Sequence, residues 1–146
     1  MKVFLDANVF FAAAGSPTGG SAFVLELAKR ERIQIITVLY ALVEAERNIQ
    51  AKLGEKALDR HYQNLLEGKR KVQNIDNVSM KTATELETLL IRKDVPILLG
   101  AILSNADFLV TLDRKDFIDN KKLKEADLSF QIVIPGDFLK YYIKNT

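Results

Sequence analysis

Short apolar runs alternate with apolar positions at helical spacing along most of this chain. Lys2 to Leu5 reads as a short buried strand that stops at Asp6. Ala7 to Ala14 is small and apolar and reads as the helical turns that follow. Gly15-Ser16-Pro17-Thr18-Gly19-Gly20 is a turn-rich loop. Ser21 is then placed as the cap of a helix in which Phe23, Val24, Leu27 and Ala28 share one face. Lys29-Arg30-Glu31-Arg32 closes that helix with mostly positive charge, which suits a helix C-terminus. Ile33 to Thr37 is β-branched and predicts a second strand.

Val38 to Lys52 predicts a helix with Leu39, Leu42, Val43 and Ile49 as its apolar stripe, interrupted near Gly54. Lys56 to Leu66 is a further amphipathic helix. Val72 to Val78 is a weak strand, and Ser79 to Leu90 is helical with Leu86, Leu89 and Leu90 facing inward. Asp94-Val95-Pro96 opens the next helix, where Pro fits a first turn, and Asn105 stops it. Asp107 to Leu112 and Phe130 to Ile134 read as the last strands, and Asp137 to Lys144 as a terminal helix. Strands alternating with helices predict an α/β fold with a mainly parallel sheet. With 146 residues and no internal repeat, one domain over 1–146 is expected.

Composition narrows the partners. No apolar run reaches the length of a membrane span, and the short apolar start broken by Asp6 does not read as a secretory signal. The absence of cysteine excludes disulfides and thiolate metal sites and is compatible with a cytoplasmic protein. A net charge of +2 is too small to announce nucleic-acid binding by itself, so any basic surface must be local.

The candidate chemistry lies in four acids. Asp6 ends the first strand and Asp113 follows the run Phe108 to Leu112. Side by side in a parallel sheet, both would stand at its C-terminal edge, where open α/β sheets place their sites. Glu44 lies on the helix after the second strand, and Asp94 just before a helix N-terminus. Four carboxylates facing one cavity repel one another, and a hard divalent cation such as Mg²⁺ or Mn²⁺ relieves this. Such an ion can bind phosphate oxygens, lower the pKa of water and stabilise a leaving oxygen. Taken singly, each acid has an ordinary reading: Asp6 an Asx turn, Asp94 an N-cap, Asp113 a turn into Arg114-Lys115, Glu44 a solvated helix residue beside Asn48 or Lys52. Glu46 rivals Glu44 but is turned about 200° away on a helix.

Val3-Phe4-Leu5-Asp6-Ala7-Asn8-Val9-Phe10, Glu44-Ala45-Glu46-Arg47-Asn48-Ile49, Lys93-Asp94-Val95-Pro96-Ile97-Leu98 and Ala106 to Asp113 together resemble PIN-domain nucleases, including the VapC-like toxins of toxin–antitoxin pairs. The resemblance implies a three-layer α/β/α sandwich around an approximately five-stranded parallel sheet. It implies a Mg²⁺- or Mn²⁺-dependent endoribonuclease, a homodimer, and an antitoxin protein as possible partner. It assigns Asp6, Glu44, Asp94 and Asp113 to catalysis and metal binding, and Asn8 and Thr111 to their support. Asp116 stands where some relatives carry a further acid; it also suits capping of a short helix. Thr37-Val38-Leu39-Tyr40 lacks the Ser of the usual toxin pattern, and Gly100 stands in place of a more typical Ala.

An RNA substrate needs cations at the rim of such a pocket; Arg47, Lys52, Arg92, Lys93, Arg114 and Lys115 are the candidates. Lys69-Arg70-Lys71 and Lys121-Lys122-Leu123-Lys124 read as solubility features, and His61 as a surface helix residue. Phe10, Phe11 and Phe23 are assigned to the core. Leu39, Tyr40 or the terminal helix can support a homodimer, although Phe138, Tyr141, Tyr142 and Ile143 can instead close the domain's own core. Competing functions fare worse. A phosphatase with an aspartate nucleophile wants Asp-x-Asp-x-Thr where this chain has Asp6-Ala7-Asn8-Val9-Phe10, and the acid and Lys pattern of a phospho-receiver is missing. A PIN fold used as an RNA-binding or scaffold module without cleavage remains the alternative.

Overall fold

Val3, Phe4 and Leu5 are fully buried, and the strand they form is the middle of the sheet. The computed structural model describes residues 1–146. Its sheet has the order β3-β2-β1-β4-β5, with β1 Lys2–Leu5, β2 Gln34–Thr37, β3 Lys71–Val72, β4 Phe108–Val110 and β5 Gln131–Val133. Every pairing is parallel. The order reverses at β1, which pairs with β2 on one side and β4 on the other, so the topological switch point lies between β1 and β4. Helices cover both faces, giving the expected three-layer α/β/α sandwich.

The helices are α1 Ala7–Gly15, α2 Gly20–Lys29, α3 Leu39–Lys52, α4 Glu55–Gly68, α5 Met80–Leu86, α6 Val95–Leu103, α7 Lys121–Glu125 and α8 Pro135–Lys144. A 3₁₀ turn over Arg92–Asp94 leads into α6, and a π-helical turn over Arg114–Ile118 follows β4. α1 packs with α2, α3 and α4, while α6 packs on β2 and β4. Gly54, at φ 88°, separates α3 from α4 as its sequence position suggests. Asn105 adopts φ 53° just past α6, the left-handed stop expected of it. No helix is long and apolar enough to cross a membrane.

Several expectations are corrected. Ser21 does not cap α2; Gly19 holds that position, with no side-chain bond, and Ser21 is buried inside the helix. Phe23 is exposed, and Leu25 takes its place in the core. The buried face of α3 is Ala41, Ala45 and Ile49 rather than Leu39 and Val43. Small side chains let α3 approach its neighbours closely, which leaves Leu39 65% exposed. β3 is two residues long and Asn74 ends it by accepting from Asp76 N at 2.7 Å. α5 stops at Leu86, although Ser79 caps it as a helix start should. His61 is buried, edge-on to Phe10 at 5.9 Å between ring centroids, and not a surface residue. The Lys121 to Lys124 run is a short helix capped by Asn120, whose Oδ1 accepts from Leu123 N at 3.1 Å.

The terminal helix closes the domain's own core: Phe138 is fully buried and stands edge-on to Phe108 at 5.3 Å. Gly100 has a physical reason. A Cβ there would lie 2.5 Å from Val38 Cγ1 and 2.7 Å from Phe4 Cε2, so only glycine lets α6 lie this close to the sheet.

Candidate active site

The parallel register puts Leu5 beside Val110, and the ladder runs one step further, with Asp6 N donating to Val110 O at 3.1 Å. Asp6 therefore leaves the sheet at the switch point. It does what a residue between strand and helix does best: its Oδ1 accepts from Ala7 N at 2.7 Å and caps α1. Its other oxygen is held by side chains of the site. Thr111 Oγ1 donates to Asp6 Oδ2 at 2.8 Å, and Asn8 Nδ2 lies 3.2 Å from Thr111 Oγ1 and 3.4 Å from Asp6 Oδ2. Asn8 Oδ1 in turn accepts from Leu112 N at 3.0 Å. Asn8 and Thr111 thus lock the end of β1 to the end of β4.

Asp113 begins the π-helical turn. Its backbone N–H donates to Thr111 Oγ1 at 3.1 Å, and its Oδ1 accepts from Asp116 N at 2.9 Å. This turn brings a fifth acid inward: carboxylate oxygens of Asp94, Asp113 and Asp116 lie within 4.8 Å of one another. Asp116 is not the cap of this turn; Asp113 is. Asp94 ends the 3₁₀ turn before α6, and its side chain makes no capping bond. Its Oδ2 is buried without any hydrogen-bond partner.

Asp6, Glu44, Asp94 and Asp113 line one pocket of about 410 Å³, together with Asn48, Lys52 and Lys93. Glu46 is not among them; it accepts from Tyr62 Oη at 2.8 Å on the far side of α3, so Glu44 is the helical acid of the pocket. Burial pushes the Asp94 carboxyl up to about 7, and the charges of Asp113 and Asp116 add to the rise. Burial likewise raises Asp6 to about 6 against the bonds from Thr111 and Ala7, with Glu44 and Asp113 repelling it. A set of hard oxygen donors that raises its own pKa values, with one buried oxygen lacking any partner, is suited to a divalent cation.

The cations sort by place. Lys52 and Lys93 line the acid pocket. Arg47 lines a neighbouring groove that shares Glu44, and Arg92 a groove that shares Asp116. Arg114 and Lys115 are exposed and line neither groove nor pocket. Lys121 and Lys122, from the run read as a solubility feature, line the groove that holds Asp116. Asn120 caps that run as a short helix just after the buried Phe117.

A family model described as PIN domain matches residues 2–115. No curated protein matches the chain. Among solved structures, a chain in the crystal structure of VapBC2 from Rickettsia felis, bound to a DNA fragment from its promoter, has a TM-score of 0.56 and 21% identity. The match covers 91% of this chain and 98% of that one. At that identity the likeness is one of fold.

Proposed function

The chain belongs to the PIN-domain family, and from that premise we propose that it is a Mg²⁺- or Mn²⁺-dependent endoribonuclease hydrolysing phosphodiester bonds of RNA. The observation that carries this reading is the convergence of Asp6, Glu44, Asp94 and Asp113 on one pocket, with Asp94 Oδ2 buried and unpartnered. Asp94, Asp113 and Asp116 would hold the cation, with Asp6 and Glu44 completing the donor set. A divalent ion there supplies charge neutralisation, a water of lowered pKa and stabilisation of the leaving oxygen.

The rest of the work falls to the chain itself. Thr111 and Asn8 fix the direction of the Asp6 carboxylate, so no reorganisation is needed when substrate arrives. Lys52 and Lys93 offset the pocket's negative charge toward an incoming phosphate. No nucleophilic side chain is required, since water is the attacking group. The fold likeness to a VapBC2 chain fits a toxin restrained by an antitoxin protein, and we place its action in the cytoplasm as part of the same reading. Exposed Tyr141 and Ile143 on α8 support a homodimer through that helix.

The test is labelled RNA incubated with Mn²⁺ and the wild type, Asp6→Asn or Asp113→Asn. Metal-stimulated cleavage lost in both variants is expected. Equal cleavage by all three would trace the activity to a contaminant. RNA bound but never cut would favour the PIN fold as a binding or scaffold module.

A further inference from the structure

Two grooves flank the acid pocket: one shares Glu44 with it, and the other holds Asp116, whose carboxylate lies within 4.8 Å of those of Asp94 and Asp113. On one side a groove of about 670 Å³ is bounded by Leu39, Tyr40, Val43 and Val72, with Glu44 common to groove and pocket. Gln73 and Asn74 line the same groove. Gln73 Nε2 donates to Asn74 O, and Asn74 Oδ1 accepts from Asp76 N. Gln73 Oε1, an acceptor, and Asn74 Nδ2, a donor, make no hydrogen bond within the protein, and both residues line the groove. On the other side a groove of about 730 Å³ is bounded by Arg92, Lys121 and Lys122, and it includes Asp116 of the acid cluster. The molecule's ion pairs are Lys29–Glu67, Arg30–Glu26, Lys69–Glu31 and Arg92–Glu87, which leaves Lys121 and Lys122 unpaired.

We propose that a single-stranded RNA crosses the acid pocket with one unstacked base against Tyr40, between Gln73 and Asn74, and with phosphates on the opposite side over Arg92, Lys121 and Lys122. This rests on reading the pocket as a site of phosphodiester hydrolysis and says how the strand lies there. A phosphodiester at the acids is covalently tied to a nucleoside on one side and to further phosphates on the other. The two grooves match those neighbours in kind. The Tyr40 groove offers an aromatic face, aliphatic walls and one open donor and acceptor, which is what a splayed base takes. Arg47 at its edge can meet the phosphate of that nucleotide. The Lys121 groove carries Arg92, paired with Glu87, and the unpaired Lys121 and Lys122 above an apolar floor of Leu89, Leu90 and Ile91, and it is the two free lysines that suit backbone phosphates. A duplex does not fit this division, because its bases are stacked and paired and none is free to lie against Tyr40. A second copy of the chain fits the Tyr40 groove less well, since it would bury Arg47 and the open amide groups of Gln73 and Asn74.

The experiment is equilibrium binding of a fluorescent single-stranded RNA of about twelve nucleotides, within the span such sites cover. It is read by anisotropy with Ca²⁺ present, for wild type, Tyr40→Ala, Tyr40→Phe and the double variant K121Q/K122Q. Cleavage of the same RNA with Mn²⁺ is followed in parallel. Tyr40→Ala is expected to weaken binding about five-fold or more, the loss of one stacked base, while Tyr40→Phe binds as wild type. The double variant is expected to lower the slope of log affinity against log salt by about 1.4, the share of two phosphate contacts on a single strand. A duplex of the same sequence should bind more weakly and be indifferent to Tyr40→Ala. Wild-type affinity in Tyr40→Ala with cleavage intact overturns the inference and leaves the nuclease reading standing. Binding that depends on both grooves without any cleavage supports the inference and removes the nuclease reading. A dimer in sedimentation that Tyr40→Ala dissociates, with RNA affinity unchanged, makes the groove a self-interface and overturns the inference.

Discussion

Thr111 donates its hydroxyl to Asp6 at 2.8 Å, joining the end of the fourth strand to the end of the first. The same oxygen accepts from Asn8 Nδ2 and from Asp113 N, so one buried hydroxyl orients two of the pocket's acids. Thr111→Val keeps the shape and removes every one of these bonds. The expected result is a fall in metal-dependent cleavage of about 10- to 100-fold, the usual cost of losing a partner behind a metal ligand. The fold should lose about 1–3 kcal/mol, because Asp6 is left short of a buried donor. Thr111→Ser should recover both. Cleavage rates and urea midpoints for the pair decide it, and an active Thr111→Val would detach Asp6 from the chemistry.

Glu44 and Glu46 are two positions apart and point in different directions. Glu44 lines the acid pocket, whereas Glu46 is held by Tyr62 at 2.8 Å. Glu44→Gln is expected to reduce cleavage about a hundred-fold, as removal of one preorganised electrostatic group commonly does. Glu46→Gln should cut RNA at the wild-type rate. Initial rates with Mn²⁺ on one RNA test both at once, and the opposite ranking would assign the helical acid to Glu46.

Gly100→Ala is a stability prediction. The added methyl would sit 2.5 Å from Val38 and 2.7 Å from Phe4, both buried side chains with no room to retreat. Overpacking of this kind costs about 1–3 kcal/mol. The urea midpoint should fall while the denaturant slope stays constant. A midpoint at or above wild type, with better helix propensity as the only effect, would mean that α6 is free to move off the sheet.

The strand ends were the most legible part of the chain. Asp6 and Asp113 follow buried apolar runs, and parallel pairing of those runs leaves few places for their carboxylates except one edge. Asp94 was legible through Pro96, which marks the helix start two residues later. Helix faces were harder to read. On α3 the apolar residues Leu39 and Val43 stay outside, because Ala41 and Ala45 allow a closer approach than larger side chains would. Periodicity alone does not distinguish a small residue that packs from a large one that waits for a partner. The inward turn of Asp116 depends on a π-helical turn, which no hydrophobic period announces. His61 reads as a surface residue because a single polar residue on an amphipathic helix says nothing about what lies above it.

Asp94 and Asp6 tie stability to pH in metal-free protein. Their folded pKa values, about 7 and about 6, lie above the 3.8 of an unperturbed Asp. The folded chain therefore holds protons that the unfolded chain has released between about pH 4 and pH 7. Stability from these groups is complete below that window and is lost as pH rises through it. In the presence of chelator, the wild type should unfold at lower urea at pH 7.5 than at pH 5. Asp94→Asn should reduce that difference, gain stability at pH 7.5 and lose cleavage. Added Mn²⁺ should raise the wild-type midpoint and leave Asp94→Asn nearly unchanged. Identical pH profiles for the two proteins would remove Asp94 from the destabilised cluster.

His61 has the opposite sign. Burial lowers its pKa below the ordinary 6.5, since the ring sits in the core against Phe10 and its Nδ1 has no partner. Below about pH 6.5 the unfolded chain takes up a proton that the folded chain resists. Stability is therefore lost as pH falls, down to the folded value, while the acids move it the other way. His61→Leu keeps an apolar side chain in the core and removes the proton. The urea midpoint of His61→Leu minus that of wild type should be larger at pH 5 than at pH 7.5. Glu46, which favours the protonated ring, limits the size of the effect, and repeating the comparison in an Asp94→Asn background removes the opposing pH trend of that acid. A difference independent of pH would mean that the ring reaches water and titrates as it does in the unfolded chain.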